Sequence, residues 1–188
     1  ALIDSKKLRT GMISEDEWSL IAHSVNTLSK TNILLDDTAG ITVAEMKAKC
    51  RRVGTDLGLV IIDYLQLMRS GRRVENRVQE VSELTRSLKI MAKELNVPIL
   101  CLSQLSRASE NQNRRPRLSD LRESGSIEQD ADVVMFIHHE NLDEESDSPG
   151  VTEFIIEKNR HGATGSVKMF FDGAHTRFSD FDQTHQYE

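Results

Sequence analysis

The sequence predicts an α/β fold built on a mainly parallel sheet. Three observations carry that prediction. Short runs that are apolar at successive positions recur at residues 59–63, 98–103 and 133–137. Such runs are the mark of strands covered on both faces, as in parallel sheets. Between them lie amphipathic segments of helical period, and glycines or acidic pairs stand at the junctions.

The elements follow in order. Ser14 to Glu17 has the form of a capping box, and Trp18, Ile21, Ala22, Val25 and Leu28 continue it at helical spacing. Residues 32–35 form a short apolar run closed by Asp36 and Asp37, expected as a strand. A second capping box, Thr42 to Glu45, opens a helix with Val43, Met46, Cys50 and Val53 on one face, closed by Gly54 and Gly58. Residues 59–63 are expected as a strand apolar on both faces. The basic stretch RSGRRVENR leads into a long helix with Val81, Leu84, Leu88, Met91 and Leu95 along one side. PILCLS, residues 98–103, is the next all-apolar strand. A polar segment without clear period, 107–117, precedes LSDLRESGSIEQDAD, and a strand at 133–137 follows. After an acidic loop, strands at 151–157 and 166–171 flank a short turn at 159–165. The last three strands read as an antiparallel or mixed edge. No internal repeat is present, so the chain reads as a single domain over 1–188.

Composition narrows the function. Apolar residues make up 38% and charged residues 29% of 188, the balance of a globular chain with a real core. No apolar run approaches the ~20 residues a membrane span needs, and the N-terminus has no signal-peptide pattern. Two cysteines, Cys50 and Cys101, lie far apart inside apolar segments, which suits a reduced, cytoplasmic setting. The net charge of −6 excludes a chain that binds nucleic acid through bulk charge alone. Charge is uneven, however: 140–147 is acidic, while Arg69, Arg72, Arg73 and Arg77 cluster, as do Arg114, Arg115 and Arg117. The six histidines show no zinc spacing with cysteines, and Ser103 and Ser106 have no motif partners for nucleophilic catalysis.

Ligands of open parallel sheets bind beyond the carboxyl ends of the strands. Asp63, Gln104 and the pair His138–His139 fall at such ends. Asp63 and Gln104 would share one rim, where an acid can hold the water shell of Mg²⁺ and an amide can meet a phosphate oxygen. A turn-capping Asp63 and an ordinary surface Gln104 are the plainer alternative. In EKNRHGATG, Lys158 and Arg160 have the spacing of two that points both cations the same way along a strand. They suit two phosphate contacts, or simply a charged hairpin tip. In DLRESGSIEQDAD, Arg122 and Gly125 could offer a guanidinium and an unhindered N–H to a nucleic-acid phosphate, though Glu128, Asp130 and Asp132 oppose an anion.

LVIIDYLQLM, VPILCLSQLSR, LSDLRESGSIEQDADVV and EKNRHGATG occur in that order. Together they closely resemble the RecA-like ATPase domain of the replicative DNA helicases of bacteria and phages, the DnaB type. IDSKKLRTG and LLDDTAGITVAEMKAK extend the resemblance over nearly the whole chain; it fades at 141–149 and after Phe178. The resemblance implies a RecA-like sheet of the P-loop NTPase class, with ATP and Mg²⁺ as cofactors. Asp63 matches the Walker B aspartate that supports Mg²⁺ through water. Gln104 matches the amide that senses the γ-phosphate and links it to the DNA loops. Arg122, Glu123 and Gly125 match the loop that lines a ring's central channel and holds single-stranded DNA. Lys158 and Arg160 match cations inserted into the neighbouring subunit's ATP site, Arg160 as the arginine finger. The implied assembly is a homohexamer that moves 5′ to 3′, with primase and a helicase loader as partners and no membrane.

One departure matters. No G-x-x-x-x-G-K-[ST] occurs in the sequence. In the family that phosphate loop, and the glutamate that activates water, are expected before Ala1. The chain therefore reads as a partial motor domain, inactive alone. Two rival readings share part of the pattern: a non-catalytic RecA-like assembly or nucleic-acid-binding module, and a RecA-type recombination ATPase. A phosphate loop upstream would favour the helicase over the first, and LRESGSIEQDAD argues against the second.

Overall fold

In the computed structural model, residues 1–72, 74, 76–105, 114–121, 125–139 and 150–181 are described. The strands expected at 59–63 and 98–103 form a parallel pair. Strand β1 is Val60–Ile62 and β2 is Ile99–Cys101, in register Val60↔Ile99, Ile61↔Leu100 and Ile62↔Cys101. The ladder continues past both strands: Leu102 N–H donates to Ile62 O and Leu65 N–H donates to Leu102 O, each at 2.9 Å.

Two helices cover one face of this pair. Helix α3, Val43–Val53, has the predicted capping box, in which Thr42 Oγ1 accepts from Glu45 N–H and the Glu45 carboxylate accepts from Thr42 N–H. Helix α4, Arg77–Leu95, is capped by the Asn76 side chain and ends at Asn96, whose left-handed φ of 52° turns the chain toward β2. Its buried stripe is Val81, Leu84, Thr85, Leu88 and Met91. Val81, Leu84 and Leu88 join Ile62, Leu65 and Met68 in the main core, with Val43, Met46, Ile99 and Cys101 packed against it. A second cluster gathers Leu121, Val134, Phe136 and Ile155. Between them stands the short helix α5, Gly125–Asp130, whose Ile127 touches both clusters.

The second sheet has the order β3–β4–β5–β6, with β3 Val133–His139, β4 Val151–Asn159, β5 Gly165–Asp172 and β6 Arg177–Asp180. Strands β5 and β6 pair antiparallel, and β6 is a strand the sequence reading did not include. The polypeptide groups into two units, Thr38–His138 with Ile155–Ser166 in one, and Ala1–Asp37 with the described parts of His139–Phe154 and Val167–Glu188 in the other. In the latter, helix α1, Ser5–Thr10, is tied to the β5–β6 turn by Ser5 N–H donating to Ala174 O at 2.7 Å. Helix α2, Glu15–Leu28, has the predicted capping box at Ser14. Phe178 meets Phe154 edge-on with ring centroids 5.1 Å apart.

Two expectations are corrected, and the surroundings of one helix are added to its predicted period. Residues 32–35 are not a strand: no described strand lies alongside to supply a ladder, and Leu35 is 94% exposed. The apolar stripe of α2 is not buried, for the helix contains no buried residue. The central strands are not covered on both faces either. Ile61 and Leu100 are 61% and 40% exposed opposite the helices, and Val133, Met135 and Ile137 are exposed along β3. Burial on both sides needs a helical layer on each face, and among the described residues of this unit only one face has it.

Leu84, among the most fully buried side chains, and Ile90, half exposed, lie on the same helix. Leu84→Ala is expected to cost about 2–5 kcal/mol in urea unfolding of the full-length protein, and Ile90→Ala about 0.5. Asp120 is buried and accepts from Arg114 Nη1, Arg114 Nη2 and Arg117 N–H, all at 2.8 Å. Chiefly through the Arg114 hydrogen bonds, its carboxyl is held below the usual range. Its contribution is therefore full above the ordinary Asp value of about 3.9 and is lost as pH falls through the lowered one. Asp120→Asn is expected to lower the thermal midpoint at pH 7 and to cost progressively less below about pH 4.

Candidate functional site

The register of β1 and β2 brings two sequence-predicted residues to one rim. Asp63 follows the last residue of β1, and Gln104 lies three positions beyond the end of β2. Both are exposed. No hydrogen bond or ion pair to the Asp63 carboxylate occurs among the described residues, from backbone or side chain, so it does not cap the following turn. The Asp63–Tyr64 peptide is cis.

A residue the sequence reading missed holds the second of these. Gln66, on the 3₁₀ turn Leu65–Leu67, grips the backbone of Gln104 from both sides. Gln66 Oε1 accepts from Gln104 N–H at 3.3 Å, and Gln66 Nε2 donates to Gln104 O at 3.3 Å and to Ser103 Oγ at 3.1 Å. One amide thus stands in for a further rung of the β1–β2 ladder and leaves the Gln104 side chain unencumbered at the rim. The sequence shows Gln66 as the one polar residue in the run LQLM but not the partner that gives it a role. Arg77 in turn donates to Gln66 O at 3.2 Å and pairs with Glu80 at 2.6 Å. Arg72 faces Glu83 at 3.9 Å. These members of the first basic cluster are matched to acids, and Arg73 lies outside the described residues.

Lys158 and Arg160 form a second group, and their spacing does point both cations one way. Each reaches the carboxyl end of α5. Lys158 Nζ donates to Glu128 O and, at 2.8 Å, to Ala131 O; Arg160 Nη2 donates to Gln129 O at 3.1 Å. Carbonyls at a helix end lack intrahelical partners, and cations there are favoured by the helix dipole as well. The backbone joins in, with Arg160 N–H donating to Asp132 O at 2.8 Å. The Asp132 carboxylate pairs with Lys89 of α4 and lies 3.5 Å from Arg160 Nε. It is held below the usual carboxylate range, first by the Lys89 hydrogen bond and then by the charges of Lys89, Arg160 and His161. Arg160 itself remains 46% exposed in its side chain.

Gly125 is the first residue of α5 and is exposed; Arg122 and Glu123 lie outside the described residues. Helix α4 meets α5 through Ser82 Oγ to Ser126 Oγ at 3.0 Å and Thr85 Oγ1 to Asp130 Oδ2 at 2.7 Å. His139 Nδ1 lies 3.2 Å from Thr152 Oγ1. Cys50 and Cys101 are free, and burial pushes the Cys101 thiol up to about 11. Among the described residues no cluster of His, Cys, Asp and Glu could by itself hold a metal, and no helix is long and apolar enough to cross a membrane.

A model of the DnaB-like helicase C terminal domain matches residues 1–180. The chain belongs to the DnaB-like helicase C-terminal domain family. Among curated relatives, it is 46% identical to the replicative DNA helicase DnaC of Bacillus subtilis over 186 residues, 96% of this chain and 41% of that protein. It is 48% identical to the replicative DNA helicase DnaB of Leifsonia xyli over 185 residues, 96% of this chain and 40% of that protein. The chain thus spans about two fifths of the length of these relatives. Two solved structures superpose closely at 36% identity and 96% coverage of this chain. The ATPase domain of G40P does so with a TM-score of 0.89 over 66% of its own length. A DnaB-like replicative helicase, described with its interactions with primase, does so with a TM-score of 0.87 over 46% of its length. The fold is therefore that of a DnaB-like RecA-type ATPase domain, as the sequence predicted.

Gln66→Ala removes two hydrogen bonds to the Gln104 backbone. Each is worth about 1 kcal/mol, so amide exchange at Gln104 is expected to accelerate by roughly five- to tenfold or more, while exchange at Ile62 changes little. Hydrogen–deuterium exchange on the full-length protein reads both.

Proposed function

We propose that this chain is part of the motor domain of a hexameric, ATP-dependent DNA helicase, one that moves along single-stranded DNA and unwinds duplex at the replication fork. The observation that carries the reading is the pair Asp63 and Gln104, both exposed at the adjoining ends of paired parallel strands in a chain of this family. An exposed carboxylate with no partner among the described residues fits a hydrated Mg²⁺, which Asp63 would hold through the ion's waters. ATP supplies the phosphoanhydride whose cleavage drives the motor. Gln104 meets the γ-phosphate side of the nucleotide, oriented by Gln66. Lys158 and Arg160 neutralise charge on a triphosphate held by the neighbouring subunit, Arg160 as the finger. Arg122, Glu123 and Gly125 face single-stranded DNA by its phosphates, without reading bases.

The partners proposed are single-stranded DNA, five further copies of the protein in a ring, primase and a helicase loader, in the cytoplasm. The sequence contains no phosphate-loop motif, so this chain by itself is expected to turn over no ATP.

In the full-length protein, Arg160→Ala is expected to lower ATP hydrolysis about 10³-fold, the smaller end of what an arginine finger supplies, with nucleotide affinity kept. Asp63→Asn is expected to abolish Mg²⁺-dependent turnover. A normal hydrolysis rate in either variant sinks the corresponding role. DNA binding with no nucleotide-dependent unwinding by the unaltered protein sinks the motor.

A further inference from the structure

Helix α5 is gripped from two directions. From α4 come Ser82, Thr85 and Lys89, residues spaced to fall on one helical face, reaching Ser126, Asp130 and Asp132. From the end of β4 and the turn after it come Lys158 and Arg160, on the carbonyls of Glu128, Gln129 and Ala131. Only one side chain is shared between the two sets. Asp132 pairs with Lys89 of α4 and with Arg160 of the turn, and its own carbonyl accepts the Arg160 N–H.

We propose that Asp132, just past the end of α5, is the positioning residue of the Arg160 guanidinium, so that a displacement of α5, whose first residue is Gly125, moves the finger. This rests on the proposed roles of Arg160 at the nucleotide and of Gly125 toward DNA. The chemistry suits a latch. The pair is half exposed, so water and salt compete for it and it contributes little to stability. A guanidinium held that weakly can exchange a carboxylate and a carbonyl for the phosphate of a neighbouring nucleotide. In this structure Lys158 bonds the α5 carbonyls and holds the end of β4 against the helix. A shift of α5 along α4 changes where the guanidinium is presented, so DNA held at Gly125 is felt at the next subunit's nucleotide. The connection is contiguous, from the first residue of a six-residue helix to carbonyls at its other end.

The test uses the full-length protein and compares steady-state hydrolysis with and without saturating single-stranded DNA. Asp132→Ala is expected to bring the ratio of the two kcat values to within about twofold of one, with KM for ATP changed less than twofold. Asp132→Glu is expected to restore at least half of the wild-type ratio. If Asp132→Ala does not assemble, Asp132→Asn, which keeps the shape and removes the charge, is measured in its place. A wild-type ratio in the charge-free variant overturns the proposal, as does an equal loss in Asp132→Glu. Arg160→Ala, run alongside, separates the two levels. Full activity there sinks the finger itself. A dead Arg160→Ala beside a wild-type ratio in the charge-free Asp132 variant sinks the positioning role alone.

Discussion

The ladder between two three-residue strands governs the site. β1 and β2 are parallel and paired Ile62 to Cys101, so their carboxyl ends are flush and whatever polar residue each chain places next emerges at one rim. A slip of β1 by one residue would turn Ile62 away from the core and move Asp63 off the rim. The apolar packing of Ile62, Leu65 and Met68 against Val81, Leu84 and Leu88 resists that slip. Beyond Leu102 the ordinary rungs end, and the Gln66 amide supplies the next. Hydrophobic burial thus fixes the register, the register fixes two side chains, and one amide fixes the orientation of the second.

Helix α4 does two jobs because it has two faces. Its apolar stripe closes the core beneath β1 and β2. Ser82, Thr85 and Lys89 meet α5 by hydrogen bonds and charge. Polar contacts of this kind add little net stability but demand geometry. The rigid element that positions Asp63 therefore also borders the element that carries the candidate DNA-facing loop. Ile127 adds apolar contact to both clusters from α5.

How much of this the sequence disclosed follows from which interactions are local. Both capping boxes were legible because hydroxyl and glutamate are three residues apart, and the buried stripe of α4 because its period is short. Asp63 and Gln104 were legible as polar stops after apolar runs. Gln66 was not, since its role depends on a partner 38 positions away. Asp132 looked like one more acid in an acidic stretch, and its importance comes from Lys89 and Arg160, which only the fold assembles. Strand β6 has one large apolar residue, Phe178, in four positions, too few to show a period. The run at 32–35 misled for the opposite reason: apolar character marks what prefers burial, and a strand also needs a neighbour.

The central claim is that Asp63 and Gln104 serve one metal–nucleotide site. Replacing Mg²⁺ with Fe²⁺ in the nucleotide-bound full-length protein, then adding ascorbate and peroxide, cleaves the backbone beside the metal. The account predicts nucleotide-dependent cuts at both 63–64 and 103–105 of the same chain, lost together in Asp63→Asn. Cuts at one of these segments without the other, or at neither, would contradict it.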